Sequence, residues 1–103
     1  MKQTITARHC DVPEAARERA SLVMDRLGRL SRRALEGTVV FDESSQLATV
    51  ELRLHVRGGR VLVGLAEGKD HRTALDRAEA KVRRQLDRTS TQALKGRRPS
   101  RAA

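Results

Sequence analysis

From Ala48 to Arg57 the chain alternates without a break, with Val50, Leu52, Leu54 and Val56 on one side and Thr49, Glu51, Arg53 and His55 on the other. A period of two over this length specifies a β-strand that turns one face to a core and the other to water or a partner. Gly58-Gly59 follows, and Arg60 to Glu67 (RVLVGLAE) resumes as a second strand. The spacing predicts a hairpin with a two-residue type I′ turn, whose two positive φ angles glycine adopts without steric cost. A sheet with one apolar face needs cover.

Two helical segments supply it. From Pro13 to about Arg33, Ala16, Ala20, Val23, Leu27 and Leu30 recur at helical spacing, while Arg19, Arg26, Arg29 and Arg33 share another side. Pro13 suits the first turn, and Asp11 and Glu14 lie near the positive end of the helix dipole. From Asp70 to Arg88, fading near Ser90, Leu75, Ala78, Val82 and Leu86 mark a buried face. On the same wheel Arg77, Lys81, Arg84 and Arg88 fall within about 60° of one another, a cationic stripe about 130° from the apolar one.

Lys2 to His9 and Thr38 to Phe41 read as further strands, separated from the next by the polar turn Asp42 to Gln46 (DESSQ). The order β-α-β-β-β-α predicts an α+β two-layer sandwich, a four-stranded sheet with two helices on one face. At 103 residues and 38% hydrophobic content there is material for one small core. Residues 1–92 are expected to form a single domain, and 93–103 a basic, disordered tail.

Twenty-two basic residues against 13 acidic ones give a net charge of +9, which points to a polyanionic partner, nucleic acid first. Phe41 is the single aromatic residue, so stacking of bases on aromatic platforms is nearly unavailable and backbone contact is the economical mode. No apolar run approaches a membrane span, the first ten residues carry no hydrophobic signal segment, and the aromatic anchors of an interfacial helix are missing. A cytoplasmic protein is expected, with no membrane partner and no small-molecule substrate, monomeric when free.

Catalytic and metal motifs fail individually. Gly64 to Asp70 has one residue too few for a phosphate-binding P-loop and places Asp70 where Ser or Thr must reach magnesium. His9, Cys10 and Asp11 are neighbours that strand alternation sends to opposite faces, and Cys10 reads as a small strand residue. His55 and His71 lack regularly spaced partners. Neither an enzyme nor a cofactor is expected. Arg57-Gly58-Gly59-Arg60 reads as a hairpin before it reads as a fragment of an RNA-binding RGG motif.

Three stretches together resemble a known family: ITARH at Ile5 to His9 followed by DVPEAARERA, AEGKDHRTALD at Ala66 to Asp76, and KVRRQLDR at Lys81 to Arg88. They are similar to the ribosome hibernation factors, also called ribosome-associated inhibitors or sigma-54 modulation proteins, in their short form. The resemblance implies a fold like that of double-stranded-RNA-binding domains. It further implies a non-enzymatic protein that binds rRNA of the small subunit in the mRNA/tRNA channel and blocks translation in stationary phase or stress. Lys81, Arg84 and Arg88 match the family's basic helix positions, and Gln85 its Arg-Gln-Leu run. Arg77 and Arg83 join them from the helical wheel and the charge count, and Arg26, Arg29, Arg33, Arg57 and Arg60 are further candidate RNA contacts. The chain departs from the family at Arg72, where an aromatic is common, at Asp87, Thr89 and Ser90, where lysines are common, and at Arg32 to Ala34. The alternative is a protein-binding regulator, for instance of a transcription factor, that uses the apolar outer face of the fourth strand.

Overall fold

The computed structural model describes the backbone of residues 1–97 and the side chains of residues 1–88. The elements follow as β1 (Lys2–Ala7), α1 (Glu14–Leu30), β2 (Ala34–Ser44), β3 (Leu47–Val56), β4 (Arg60–Gly68) and α2 (His71–Arg97). The strands lie in the order β1-β2-β3-β4. β1 runs parallel to β2, with Lys2 beside Glu36 and Ala7 beside Phe41, and the two later pairs are antiparallel hairpins. This is the expected α+β sandwich.

The core lies between the sheet's inner face and the helices. Val39, Phe41, Val50, Leu52 and Leu54 meet Ala20, Val23, Met24 and Leu27 of α1 and Ala74, Leu75, Ala78 and Val82 of α2, all fully buried. Each large side chain so buried contributes about 1.5–3 kcal/mol relative to exposure. Phe41 sits at the centre, its ring meeting that of His71 edge-on at 5.5 Å. His71 is held by Nε2 against the Asp42 carbonyl at 3.1 Å, a satisfied structural histidine.

Three local expectations need correction. Val56 pairs directly with Arg60, so three residues, Arg57 to Gly59, form the β3–β4 loop in place of a two-residue turn. The type I′ signature belongs to Ser45 and Gln46, with φ of 51° and 67°, because β2 stays paired as far as Ser44↔Leu47. Ladder hydrogen bonds there outweigh the cost of two non-glycine residues in the left-handed region. α1 ends at Leu30, where Ser31 turns extended, so Leu30 is exposed and Met24 fills the core instead. α2 continues past Ser90 to Arg97, since neither glycine nor proline interrupts it before Gly96. The expected tail falls mainly on residues 98–103, outside those described.

Two ion pairs fasten the helices to each other. Arg19 Nε meets Asp76 Oδ1 at 3.0 Å, and Arg26 reaches both oxygens of Glu79, at 2.9 and 3.1 Å. Glu79 is only 7% exposed, so removing its cation leaves a carboxylate buried without compensation. Arg26→Ala is expected to cost about 1–2 kcal/mol in urea unfolding, below the 3–5 of a fully buried pair because the guanidinium is partly solvated. Adding Glu79→Leu to that variant is expected to restore most of the loss.

Asp70 starts α2: its Oδ1 accepts the Thr73 N–H at 2.7 Å, and that bond, with the Thr73 hydroxyl, holds its carboxyl below the usual carboxylate value. Asp42 is lowered too, by the Glu43 N–H and then by His9. A carboxyl lowered in the folded state contributes stability that is complete above the ordinary value of about 3.9 and is lost as pH falls through the lowered one. Thermal midpoints measured across the acid range are expected to fall below that value. Asp70→Asn keeps the cap without titrating there and is expected to flatten the fall.

Candidate nucleic-acid interface

Helix α2 lies along β4 because small residues let it. A methyl group on Gly64 would sit 2.4 Å from the Ala78 carbonyl oxygen, and one on Gly68 3.1 Å from the Ala74 nitrogen. Backbone thus approaches backbone, with α2 running antiparallel to β4 and flanking the free edge of the sheet.

This placement divides the predicted stripe. Arg77 Nη1 donates to the Glu67 carbonyl at 2.8 Å and Lys81 Nζ to the Leu65 carbonyl. Gln85 makes two bonds to Val63: its Oε1 accepts the N–H at 3.1 Å and its Nε2 donates to the carbonyl at 2.7 Å. Arg83, Arg84 and Arg88 are exposed and form no ion pair among the described residues. Arg77, Lys81 and Arg84 together line a shallow recess of about 320 Å³ with Ala66, Glu67 and Ala80. The geometry therefore brings three members of the stripe to one surface, where Arg84 has no ion-pair partner among the described residues.

The additional candidates separate as well. Arg26 is engaged by Glu79, while Arg29 is exposed. Arg33 meets Arg57 at the end of β3, Nη2 to carbonyl at 3.4 Å and backbone N–H of Arg57 to the Arg33 carbonyl at 2.7 Å. Arg60 opens β4 beside them. Since Gln85 is level with Val63, Arg88, one helical turn on, lies level with the start of β4. A cationic surface thus runs from Arg84 through Arg88 toward the Arg57–Arg60 loop. Fixed positive charge of this kind attracts phosphate with little regard to base identity and with strong salt dependence.

Helical spacing located the stripe but missed two roles. Glu79 stands among Leu75, Ala78 and Val82 on the apolar face, a position that signals a buried carboxylate in need of a cation. Arg77, Lys81 and Gln85 as partners of β4 carry no such signal, because that requires knowing which strand lies at the edge. Cys10 lies in the loop after β1, not in a strand, 3.8 Å from His71 Nε2. Burial, then the charges of Glu43, Asp42 and Asp11, push its thiol up, away from nucleophilic thiolate character. No group of His, Cys, Asp and Glu among the described residues is arranged to hold a metal ion. No described helix is long and apolar enough to cross a membrane.

Comparison with known proteins agrees with this architecture. A family model described as sigma 54 modulation protein / S30EA ribosomal protein matches residues 3–93. Among solved structures, a ribosomal subunit interface protein from Coxiella burnetii is similar, with a TM-score of 0.75 and 20% identity over 88% of this chain and 99% of that one. The N-terminal domain of Protein Y from Thermus thermophilus is similar at a TM-score of 0.73 and 23% identity, over 86% of this chain and 99% of that one. No curated protein matches the chain.

Proposed function

The chain belongs to the sigma 54 modulation protein / S30EA ribosomal protein family, and from that premise we propose a ribosome-associated hibernation factor that acts by occupancy and not by turnover. It binds rRNA of the small subunit in the channel used by mRNA and tRNA, and so holds ribosomes idle in stationary phase or stress. Its place of action is the cytoplasm. The observation that carries this reading is the exposed cationic face of α2, where Arg83, Arg84 and Arg88 have no ion-pair partner among the described residues. Arg77, Lys81 and Gln85 stand beside them, and Arg29, Arg33, Arg57 and Arg60 extend the contact, whereas Arg26 serves Glu79.

The mode of binding follows from composition and geometry together. A rigid helix edge with cations about one turn apart follows a folded RNA backbone, where phosphates and 2′-hydroxyls are accessible and base edges are not. A stationary-phase lysate resolved on a sucrose gradient tests the reading. The protein is expected in the small-subunit and ribosome fractions at low salt and is expected to leave them as salt rises. Absence from every ribosomal fraction at low salt overturns it.

A further inference from the structure

The end of the sheet where β2 begins, β3 closes and β4 begins carries an arginine at each of the three strands. Arg33 faces Arg57 one position beyond the Ala34↔Val56 pair, and Arg60 lies on the other side of Val56. The Arg57 N–H donates to the Arg33 carbonyl at 2.7 Å and Arg33 Nη2 to the Arg57 carbonyl at 3.4 Å, which fixes one guanidinium beside the β3–β4 loop. All three side chains are exposed, and none forms an ion pair among the described residues. Like charges set side by side across strands cost the free protein stability. The loop between them is bare backbone: Gly58 and Gly59 have φ of 96° and 81°, and a methyl group on Gly59 would meet nothing within 4 Å. A phosphate can therefore approach the main chain there with cations on either side.

We propose that this row is a phosphate site set crosswise to the α2 stripe, and that the two together select an RNA that bends over one that is straight. The proposal deepens the RNA-binding reading above and rests on it. The α2 stripe runs along the strand axis, because Arg77, Lys81 and Gln85 meet β4 at Glu67, Leu65 and Val63 in turn. From Arg77 to Arg88 it covers about 16 Å. The row of Arg33, Arg57 and Arg60 runs across the strands, over roughly 10 Å for two interstrand spacings. The two legs stand nearly at right angles and meet at Arg60, which shares the parity of buried Leu62, the side that α2 covers. One leg follows the free edge of the sheet and the other its end, so the corner they make is convex. A straight duplex lies along one leg of a convex corner, whereas a duplex that kinks at a bulge brings phosphate to both. Phe41, the single aromatic residue, is buried in the core, so backbone shape is what this surface can read.

Two RNAs test this on the full chain: a straight duplex of about 16 base pairs and the same duplex with a central bulge. At about 0.15 M salt the bulged RNA is expected to bind on the order of 10-fold more tightly. Its slope of log affinity against log salt is expected to be steeper by about 1.8, for two further phosphate contacts. Arg57→Gln/Arg60→Gln is expected to abolish the difference between the two RNAs, and Arg57→Lys/Arg60→Lys, which keeps the charge, to preserve it. The glutamine variant is also expected to raise the urea midpoint of the RNA-free protein at low salt, since it removes repulsion. A fall in that midpoint makes the row structural and overturns the site. Equal affinity and slope for the two RNAs on the wild-type chain overturn the proposal however the variants fold, and leave the RNA-binding reading standing. A difference that survives in the glutamine variant overturns the assignment to this row. Failure of both RNAs to bind at low salt defeats the RNA-binding reading and the proposal together.

Discussion

Replacing Gly64 with alanine is expected to destabilise the domain by about 3 kcal/mol, at the upper end for an overpacked core. The new methyl group would lie 2.4 Å from the Ala78 carbonyl oxygen and 3.0 Å from Val82 Cγ2. The first of these is backbone inside a helix, so relief requires α2 to lift from β4 as a unit. That lift strains the bonds of Arg77, Lys81 and Gln85 to the edge, and faster exchange of the Val63 amide is expected along with the shift in urea midpoint. Gly28→Ala is the internal contrast. Its added carbon meets only the Met1 side chain at 3.6 Å or more, inside a helix where alanine is preferred. A gain of about 0.5–1 kcal/mol is expected there. Equal effects at the two glycines would contradict the close approach of α2 to β4.

The double reversal Arg84→Glu/Arg88→Glu is expected to weaken binding to small-subunit RNA on the order of 100-fold at about 0.15 M salt. Two phosphate contacts account for about 30-fold of this through counterion release, and repulsion from the new carboxylates adds the rest. The slope of log affinity against log salt is expected to become shallower by about 1.8. Both side chains are exposed and neither forms an ion pair among the described residues, so the fold is expected to tolerate the change, which circular dichroism checks. An unchanged slope would remove this part of α2 from the interface. Lys81→Glu is less clean, since that side chain also donates to the Leu65 carbonyl.

Much of the fold was legible because its elements obey simple periods. β3 alternates over its whole length, and α1 and α2 carry apolar residues at helical spacing, so their types and buried faces follow from side-chain chemistry alone. What escaped depends on partners distant in sequence. Gly58-Gly59 suggests a two-residue turn, but the Val56↔Arg60 register makes the loop three residues long. Leu30 fits the stripe of α1, yet the chain has already turned away by Ser31. At the interface the stripe was legible as charge and illegible as bonding. A helical wheel gives the direction of Arg77, Lys81 and Gln85 relative to Leu75 and Val82. It does not say that β4 is an edge, or that Gly64 and Gly68 bring that edge within reach. Glu79 lies between these cases, since its place on an apolar face is visible in the sequence and its capture of Arg26 is not.

The parallel pairing of β1 with β2 bears on the order in which the molecule assembles. The β2–β3 and β3–β4 hairpins close through two and three residues, contacts of the kind that form in about 1–10 μs. β1 gains its strand partner only by closing the chain from Ala7 to Phe41, across the whole of α1, at a greater loop entropy. A nucleus made of β2, β3, β4 and the first turns of α2 is therefore expected, with high φ-values at Leu52 and Leu54 and low ones at Ile5. On unfolding the sequence of events reverses: β1 peels away first, and the N-terminal segment becomes the site where a protease gains entry while the hairpins are still intact.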